Sequence, residues 1–364
     1  MNKYVSSIIT GIILLFFMSL LVLPKDSFSH IENRKLQEWP ELKADNILDG
    51  GYSRDITAYI NDHFPFRDKF ITVKTNFEKN VLRSKLINNV YICKDDFYIE
   101  NYKAAANSKR IINTLNNFVS NTNVDVDLII VPTASTIYND KLPRFAQLPS
   151  QLDDIYNIYD NVLCKSIDVY SVLMQNRDKE NLFYKLDHHW TTEGAYYAYL
   201  EFCKVKGFEP ISMDKTNLDI VTTDFRGTIY SKLNDTMLQG EEIKIYKPDL
   251  ELNILYDGEE SDSLYNFDYL ENKDKYSLFL NNIKSFVEIS SSINADRSIA
   301  IAKDSYANCF IPFLVNHYNK IYVFDTRSYK GAISDFVKAN NIDDVLVLYN
   351  MNTLDNDTGI NVIY

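Results

Sequence analysis

The residues best suited to do chemistry stand together at Asp187, His188, His189 and Trp190, in a chain that has five histidines and two tryptophans. A neutral imidazole becomes an effective base when a carboxylate fixes its tautomer and stabilises the imidazolium. Side chains two residues apart on an extended segment point to the same side. The spacing therefore predicts that Asp187 and His189 converge as an acid–base pair while His188 points away.

Two other interpretations of this segment remain open at this point. An aspartate beside a histidine is often a hydrogen-bonded surface pair, and a base needs a nucleophile within reach. Adjacent histidines can also bind a metal, but the remaining histidines, His30, His63 and His317, show no ligand spacing, and the four cysteines are scattered. We therefore expect neither a metal nor another cofactor, and we expect the cysteines to be core residues.

Ser305 is the candidate nucleophile because of where it falls in the C-terminal third. There, short apolar runs alternate with helical patterns, which predicts strands at 298–302, 320–325 and 345–349 and helices at 306–318 and 332–339. Pro312 is expected to interrupt or restart the first of these helices. Reactive residues of such sheets lie beyond the carboxyl ends of strands. Ser305 would occupy a strand-to-helix turn, where free N–H groups can stabilise an oxyanion. Its position alone equally fits a helix N-cap.

The elements upstream predict the same architecture. An apolar run at 126–132 reads as a buried strand between helices at 109–119 and 152–164, and Thr191 is a suitable N-cap for the helix that follows it. A hairpin is predicted around residues 94–96. Short apolar strands joined by helices imply an α/β fold with a parallel sheet flanked by helices.

Composition and the N-terminus limit the class of protein. The chain has 364 residues, 46% of them apolar, and a formal charge of −12, which argues against a nucleic-acid partner. Residues 4–23 carry no charge and follow Lys3. Twenty helical residues rise about 30 Å, the thickness of a bilayer core. We expect an uncleaved anchor in the cell membrane with the rest outside the cytoplasm, or a secreted protein if the segment is a cleaved signal.

The predicted organisation has three parts and one insertion. Residues 1–24 form the signal-anchor helix, 25–60 a membrane-proximal spacer and 61–364 the α/β domain, with a possible insertion at about 211–295. A helix is expected soon after Asp62, with Val73, Phe77 and Val81 on one face.

Two motifs together carry a family resemblance. Asp187-His188-His189-Trp190 and Lys303-Asp304-Ser305-Tyr306 resemble the DHHW family of bacterial cell-surface proteins, which is related to the SGNH-like alginate O-acetyltransferases. The resemblance extends to further segments at 64–68, 131–133, 224–232 and 312–313. It implies a three-layer SGNH-hydrolase-like domain.

The resemblance also implies a catalytic triad in which Ser305 attacks, His189 is the general base and Asp187 orients it. An asparagine commonly helps to bind the oxyanion in SGNH enzymes. Asn282 is a candidate for that role, but Asn281 replaces a glycine of the family pattern, so the backbone N–H of Ser305 is preferred. Trp190 and Tyr306 are candidates for contact with the substrate, and Trp190 also fits the role of a core aromatic.

The function expected from this resemblance is extracytoplasmic transfer of an acetyl group, through an acyl-serine, to hydroxyls of a cell-surface or secreted polysaccharide. A membrane-bound O-acyltransferase is the expected donor partner, since acetyl-CoA is cytoplasmic. A carbohydrate O-acetylesterase and a non-catalytic cell-surface binding protein remain alternatives. For an imidazole base with an ordinary pKa, activity is expected to fall below about pH 6.5 unless Asp187 raises that pKa.

Overall fold

The computed structural model describes residues 3–29, 34–214 and 217–364. Parts of the predicted anchor, spacer and insertion, namely residues 1–2, 30–33 and 215–216, lie outside the described residues. The chain divides into two compact units, one formed by residues up to 88 with 230–238 and the other by 89–229 with 239–364. The domain boundaries predicted from the sequence, after residues 24 and 60 and around the insertion at about 211–295, stay predictions.

The first unit contains the N-terminal apolar helix and three shorter helices. Its elements are α1 Lys3–Val22, β1 Phe28–Ser29, β2 Arg34–Lys35, α2 Ala44–Leu48, α3 Gly51–Asp62, α4 Arg67–Asn80 and β3 Leu86–Ile87. Strands β1 and β2 pair antiparallel. Within the described part of the chain, α1 is the one helix long and apolar enough to cross a membrane, with a mean hydropathy of 2.5 and no buried residue.

The second unit is built on a central sheet with helices on both faces. Its strands are β4 Val90–Ile92, β5 Tyr98–Glu100, β6 Val126–Val131, β7 Lys165–Ser166, β8 Leu218–Phe225, β9 Glu241–Tyr246, β10 Leu252–Tyr256, β11 Glu259–Ser261, β12 Phe286–Ser291, β13 Ser298–Lys303, β14 Lys320–Asp325 and β15 Asp344–Asn350. The remaining helices of the chain are α5 Ser108–Ser120, α6 Ala134–Ile137, α7 Gln151–Tyr159, α8 Tyr170–Asn176, α9 Thr192–Lys206, α10 Thr228–Leu233, α11 Ile311–Leu314, α12 Ile333–Ala339 and α13 Met351–Asn356.

The central sheet is mixed. Its order is β11-β10-β12-β14-β13-β15-β6-β7. The five strands from β14 to β7 are parallel, as the sequence predicts for β6, β13, β14 and β15, and β12, β10 and β11 extend the sheet antiparallel. The expectation of a wholly parallel sheet is therefore wrong at this edge. Strands β10 and β11 are joined by Asp257 and Gly258, both with positive φ, and such a two-residue turn produces an antiparallel hairpin.

Alternate residues of the parallel strands enter two different cores. Ile129, Ile301 and Leu348 pack on one face with residues of α8 and α9, whereas neighbouring positions on each strand pack on the other face with residues of α5, α7 and α12. Burial on both faces explains why these strands are continuous apolar runs in the sequence. The sheet is consequently a rigid platform for the loops at its ends.

Most of the predicted helices and strands are confirmed, although the helix predicted at 152–164 ends at Tyr159 and the segment after the candidate nucleophile contains little α-helix. Helix α5, strand β6 and the β4–β5 hairpin lie where expected, and the Thr191 hydroxyl accepts the N–H of Gly194, 3.1 Å away, as the N-cap of α9. Helix α11 starts at Pro312's turn, as expected, but it is short, and the residues before it form a 3₁₀ turn over Ser305–Cys309 instead of an α-helix. All four cysteines are buried and free.

Candidate active site

Ser305 lies just beyond the carboxyl end of β13, between two neighbouring parallel strands. Strand β14, the next along the chain, pairs with one edge of β13, and β15 pairs with the other edge. In doubly wound sheets, a strand whose successors lie on opposite sides marks the point where the loops diverge and leave a crevice. The half-buried Ser305 opens the 3₁₀ turn at this position.

Asp304, not Ser305, caps that turn. One carboxylate oxygen of Asp304 accepts the N–H of Tyr306 at 2.8 Å, and the other accepts the backbone and side-chain N–H groups of Asn350 at 2.9 and 2.6 Å. Burial raises the pKa of Asp304 to about 6. Because Asp304 does the capping and ties the end of β13 to the end of β15, the Ser305 hydroxyl remains available for another contact.

Asp187 and His189 lie in a bend rather than on an extended strand. Phe183 and Trp190 form an isolated antiparallel bridge, and residues 185–189 loop out between them. The expected extended backbone is therefore wrong, yet the two side chains still converge. The reason is local: the Asp187 carboxylate accepts the backbone N–H of His189 at 3.0 Å, an Asx-type turn that holds the carboxylate beside the imidazole.

The three predicted catalytic side chains form one hydrogen-bonded row. Nδ1 of His189 lies 2.5 Å from Oδ1 of Asp187, and Nε2 of His189 lies 2.7 Å from Oγ of Ser305. An ionised carboxylate can only accept, so Nδ1 carries the proton and Nε2 accepts from the Ser305 hydroxyl. Both separations are within the reach that proton transfer requires.

Thr228 and Gly227 fix the outer oxygen of Asp187. Oδ2 accepts the N–H of Thr228 at 2.8 Å and its hydroxyl at 3.1 Å. The backbone of Gly227 lies so close to this oxygen that an added Cβ would stand 2.1 Å from it, and a residue with a side chain therefore does not fit at position 227. Together with the two donors from His189, four donors face the Asp187 carboxylate and define its orientation.

His188 is closer to the site than its predicted direction implied. Its Nδ1 lies 2.7 Å from the Thr228 hydroxyl and 3.7 Å from Oδ2 of Asp187. Since the Thr228 hydroxyl gives its proton to Asp187, it accepts from Nδ1–H of His188. The His188 carbonyl accepts the hydroxyl of Tyr306. His188 therefore supports the carboxylate through Thr228 and has no hydrogen bond to Ser305 in the described part of the chain.

The charge states of the pair follow from burial and from the neighbouring groups. Burial opposes ionisation of Asp187, but the adjacent imidazoles and their hydrogen bonds outweigh it and hold the pKa of Asp187 well below its usual range. Burial, aided by His188, lowers the pKa of His189 to about 4 despite Asp187. At neutral pH the row therefore contains a carboxylate and a neutral imidazole, the form able to accept a proton. The expected fall of activity below pH 6.5 moves to lower pH.

Aromatic side chains enclose the imidazole. The Tyr276 ring stacks on His189 with 3.7 Å between ring centroids and 10° between the planes. Trp190 and Tyr306 are fully buried, and the Trp190 indole N–H donates to the Tyr306 carbonyl at 2.9 Å. Trp190 is thus the core aromatic of the alternative interpretation, and neither ring is open to a ligand.

The two oxyanion candidates differ in their hydrogen bonds. The N–H of Asn282 donates to the Phe279 carbonyl, and no hydrogen bond joins Asn282 to Ser305 among the residues the structure describes. The N–H of Ser305 has no acceptor within the same described ranges. A donor without a partner beside the attacking oxygen is what an oxyanion site requires, so the backbone of Ser305 is the better candidate.

The same residues also make up a possible metal-ligand set. Asp187, His188 and His189 offer ligand atoms that lie within 4.8 Å of one another. However, both ring nitrogens of His189 are engaged, by Asp187 and Ser305, and both oxygens of Asp187 accept from backbone or hydroxyl donors. These hydrogen bonds suit a proton relay better than a cation.

Comparison with known proteins assigns the chain to a family. The model of the DHHW protein family matches residues 83–324. The chain belongs to the DHHW family. Among curated protein sequences, none matches the chain.

Solved structures with TM-scores above 0.6 share the fold of this DHHW chain. A DHHW family protein from Eubacterium siraeum is 24% identical, with a TM-score of 0.65, over 76% of this chain and 95% of that one. Bacillus cereus PatB1 with a sulfonyl adduct is 17% identical, with a TM-score of 0.63, over 76% and 98%. The O-acetyltransferase domain of Pseudomonas putida AlgJ is 13% identical, with a TM-score of 0.48, over 74% and 93%.

Several residues that hold the catalytic side chains of the DHHW chain in place are not predicted from its sequence. Glu241 accepts the N–H groups of Lys185 and Leu186 at 2.9 and 2.7 Å and so holds the loop that carries Asp187. Thr228 and Tyr276 likewise come from distant parts of the chain. The family resemblance at 224–232 is the sequence signal for Gly227 and Thr228. No signal in the sequence points to Glu241 or Tyr276.

Proposed function

We propose that this chain is an extracytoplasmic O-acetyltransferase that carries an acetyl group on Ser305 and passes it to a polysaccharide hydroxyl. The observation that supports this most strongly is the row from Asp187 through His189 to Ser305, with contacts of 2.5 and 2.7 Å. The relation of the DHHW family to the alginate O-acetyltransferases supports acetyl as the group and a carbohydrate hydroxyl as the acceptor.

In the first step, Oγ of Ser305 attacks the carbonyl carbon of an acetyl donor while its proton passes to Nε2 of His189. The N–H of Ser305 faces the oxygen that becomes negative, and Asp187 stabilises the imidazolium through Nδ1–H. When the carbonyl re-forms, the bond to the donor's leaving group breaks. That group takes the proton from Nε2, which leaves acetyl-Ser305 and a neutral His189.

In the second step, an acceptor hydroxyl gives its proton to Nε2 of His189 and attacks the acetyl-serine carbonyl. The bond between Oγ of Ser305 and the acetyl carbon breaks, and Ser305 recovers the proton from His189. Water as the acceptor would give acetate by the same chemistry. Transfer to a sugar therefore depends on positioning of the acceptor rather than on another catalytic group.

Localisation and partner form part of the same proposal. Helix α1 has the length and composition of a membrane anchor or export signal, and we propose that it anchors the chain with the catalytic residues outside the cytoplasm. An acetyl donor made in the cytoplasm must then be delivered across the membrane, which is the role we assign to a membrane-bound O-acyltransferase.

Two assays test this proposal. The first shows whether Ser305 is nucleophilic, and the second shows whether the acetyl group goes to a glycan or to water. The PatB1 structure holds a sulfonyl adduct, so a sulfonyl fluoride is a suitable reagent, and we expect it to modify Ser305 of the full chain in detergent. The acceptor is tested with a labelled activated acetyl ester and a polysaccharide. Label on the glycan supports the transferase, and labelled acetate without labelled glycan supports an esterase.

Matched serine variants control both assays. Ser305→Ala should lose sulfonylation and acetyl transfer together, whereas Ser328→Ala, which removes a serine hydroxyl after β14, should lose neither. If Ser305→Ala retains transfer, both enzymatic proposals fail. Bacteria that carry only Ser305→Ala should likewise show less acetylated surface polymer.

A further inference from the structure

Helix α4 presents an apolar stripe outward. Along the residues from its N-cap to its C-cap, five apolar side chains follow one another at intervals of three or four and are between 49% and 64% exposed: Phe66, Phe70, Val73, Phe77 and Val81. Positions with this spacing lie on one face of a helix. A continuous exposed stripe of this size is unusual for a surface that stays in water.

The opposite side of α4 is polar and faces its own unit. The Thr72 hydroxyl donates to the Asn234 side chain at 3.3 Å, Lys79 pairs with Asp235 at 2.6 Å, and Thr75 is buried. A helix of a water-soluble protein normally turns its apolar side to the core and its polar side to solvent. The arrangement here is the reverse, which indicates that something apolar covers the outer side.

The start of the stripe lies against the apolar helix α1. Phe16 of α1 stacks on Phe64, with ring centroids 5.2 Å apart, and its ring centroid lies 6.0 Å from that of Phe70. Phe16 is six residues before the C-terminal end of α1 at Val22, a rise of about 9 Å. If α1 spans a bilayer, Phe64 and Phe70 lie at about that depth below its outer end, where interfacial helices place their apolar faces.

Charges around the stripe favour a lipid surface over another apolar partner. Between residues 67 and 85 there are six basic and two acidic side chains, in a chain whose formal charge is −12. Lys69 and Lys74 flank the stripe on either side, and both are exposed. Basic residues beside an apolar helical face are typical of helices that lie in the boundary between head groups and acyl chains of anionic membranes.

From these observations we propose that the outer face of α4 lies on the membrane surface, with Phe66, Phe70, Val73, Phe77 and Val81 inserted among the lipids. The inference goes beyond the acetyltransferase and does not depend on it, but it requires α1 to be in the bilayer. Membrane contact would then be made by two elements, a spanning helix and an interfacial helix, rather than by a single flexible tether.

The experiment uses the full chain in vesicles of phosphatidylcholine and phosphatidylglycerol that contain no other protein. Phe77→Cys carries an environment-sensitive fluorophore, and Asn76→Cys, about 100° further round the helix, is the matched control. Ile12→Cys in α1 reports the anchor, and Val73→Cys serves if Phe77→Cys does not fold. The unsubstituted chain is treated with the same fluorophore to show that the native cysteines do not react, which is expected because all four are buried.

The expected result is a blue-shifted emission at positions 12, 73 and 77 that nitroxide-labelled lipids quench, with clearly weaker quenching at position 76. Water-like emission at 73 and 77 while position 12 is quenched would overturn the inference. So would absence of quenching at position 12, equal quenching at 76 and 77, or a shielded position 77 that lipid nitroxides do not quench, which would indicate a protein neighbour. Sulfonylation of Ser305 is followed in parallel and should be the same in every variant.

Discussion

Substitution of Gly227 tests whether the position of the Asp187 carboxylate governs the rate. In Gly227→Ala, the added Cβ would stand 2.1 Å from Oδ2 of Asp187 and 2.4 Å from its Cβ, whereas ordinary contacts begin at 3.4 Å. Either the Asp187 side chain or the backbone at 227 must therefore retreat by more than 1 Å. Both hydrogen bonds from Thr228 to Asp187 lengthen in either case.

The size of the effect follows from that displacement. A misplacement of about 1 Å in a catalytic group costs on the order of 10²-fold in rate, which corresponds to about 2.7 kcal/mol in the barrier. The Ser305 hydroxyl itself is untouched. We therefore expect Gly227→Ala to slow acyl-serine formation by about 10²-fold while residual activity persists above that of Ser305→Ala.

The assay is the burst of leaving group released when the full chain in detergent reacts with an activated acetyl ester, corrected for the folded fraction by thermal unfolding. Gly11→Ala is the control, because no atom lies within 4 Å of the added methyl group. Asp187→Gly supplies a second control: with no side chain to displace, the further cost of Gly227→Ala should nearly vanish. An unchanged burst rate in a folded Gly227→Ala protein, or fully additive losses in the double variant, would refute the reasoning.

Three further predictions concern the imidazole. Asp187→Asn should keep the fold and lose about 10⁴-fold in kcat, by analogy with the serine-protease triad, because an amide cannot accept from all four donors; a loss below tenfold would contradict this. The acid limb of kcat/KM should lie near pH 4, since burial lowers the pKa of His189 to about 4 and the neutral base is lost only as pH falls through that value; a limb at pH 6.5 or above would show that burial does not control it. Tyr276→Ala should raise that limb toward the ordinary histidine value by exposing the ring, whereas Tyr276→Phe, which keeps the stacked ring, should leave it unchanged; equal limbs in both variants would argue against shielding by the ring.

The parallel core of the sheet could be predicted from the sequence because its strands are buried on both faces. Strands β6, β13 and β15 consist mainly of aliphatic residues, and every residue in them is buried except Ser298 at the start of β13. The antiparallel edge was missed because β10 and β12 alternate buried and partly exposed positions. The Asp257-Gly258 pair was the local signal for that hairpin.

The two short catalytic motifs were recognisable, whereas the residues that support them were not. Asp187 and His189 are two positions apart, and Ser305 directly follows a strand, so local spacing in the sequence is enough to predict these three residues as catalytic candidates. Gly227, Glu241 and Tyr276 act through close approach in three dimensions, which a single sequence does not encode in any local pattern. The 3₁₀ turn after Asp304 has no such local signal, because the apolar residues at 306–314 fit an α-helix equally well and Pro312 marks only the start of the next helix.

The most direct measurement is detection of the acetyl-enzyme. The full chain is mixed with a labelled activated acetyl ester, quenched in acid, digested, and searched by mass spectrometry for the peptide that has gained one acetyl group. The account predicts acetylation at Ser305, absent in Ser305→Ala and strongly slowed in His189→Ala. Turnover of the ester with the label on another residue, or with an unmodified Ser305 at every quench time, would contradict it.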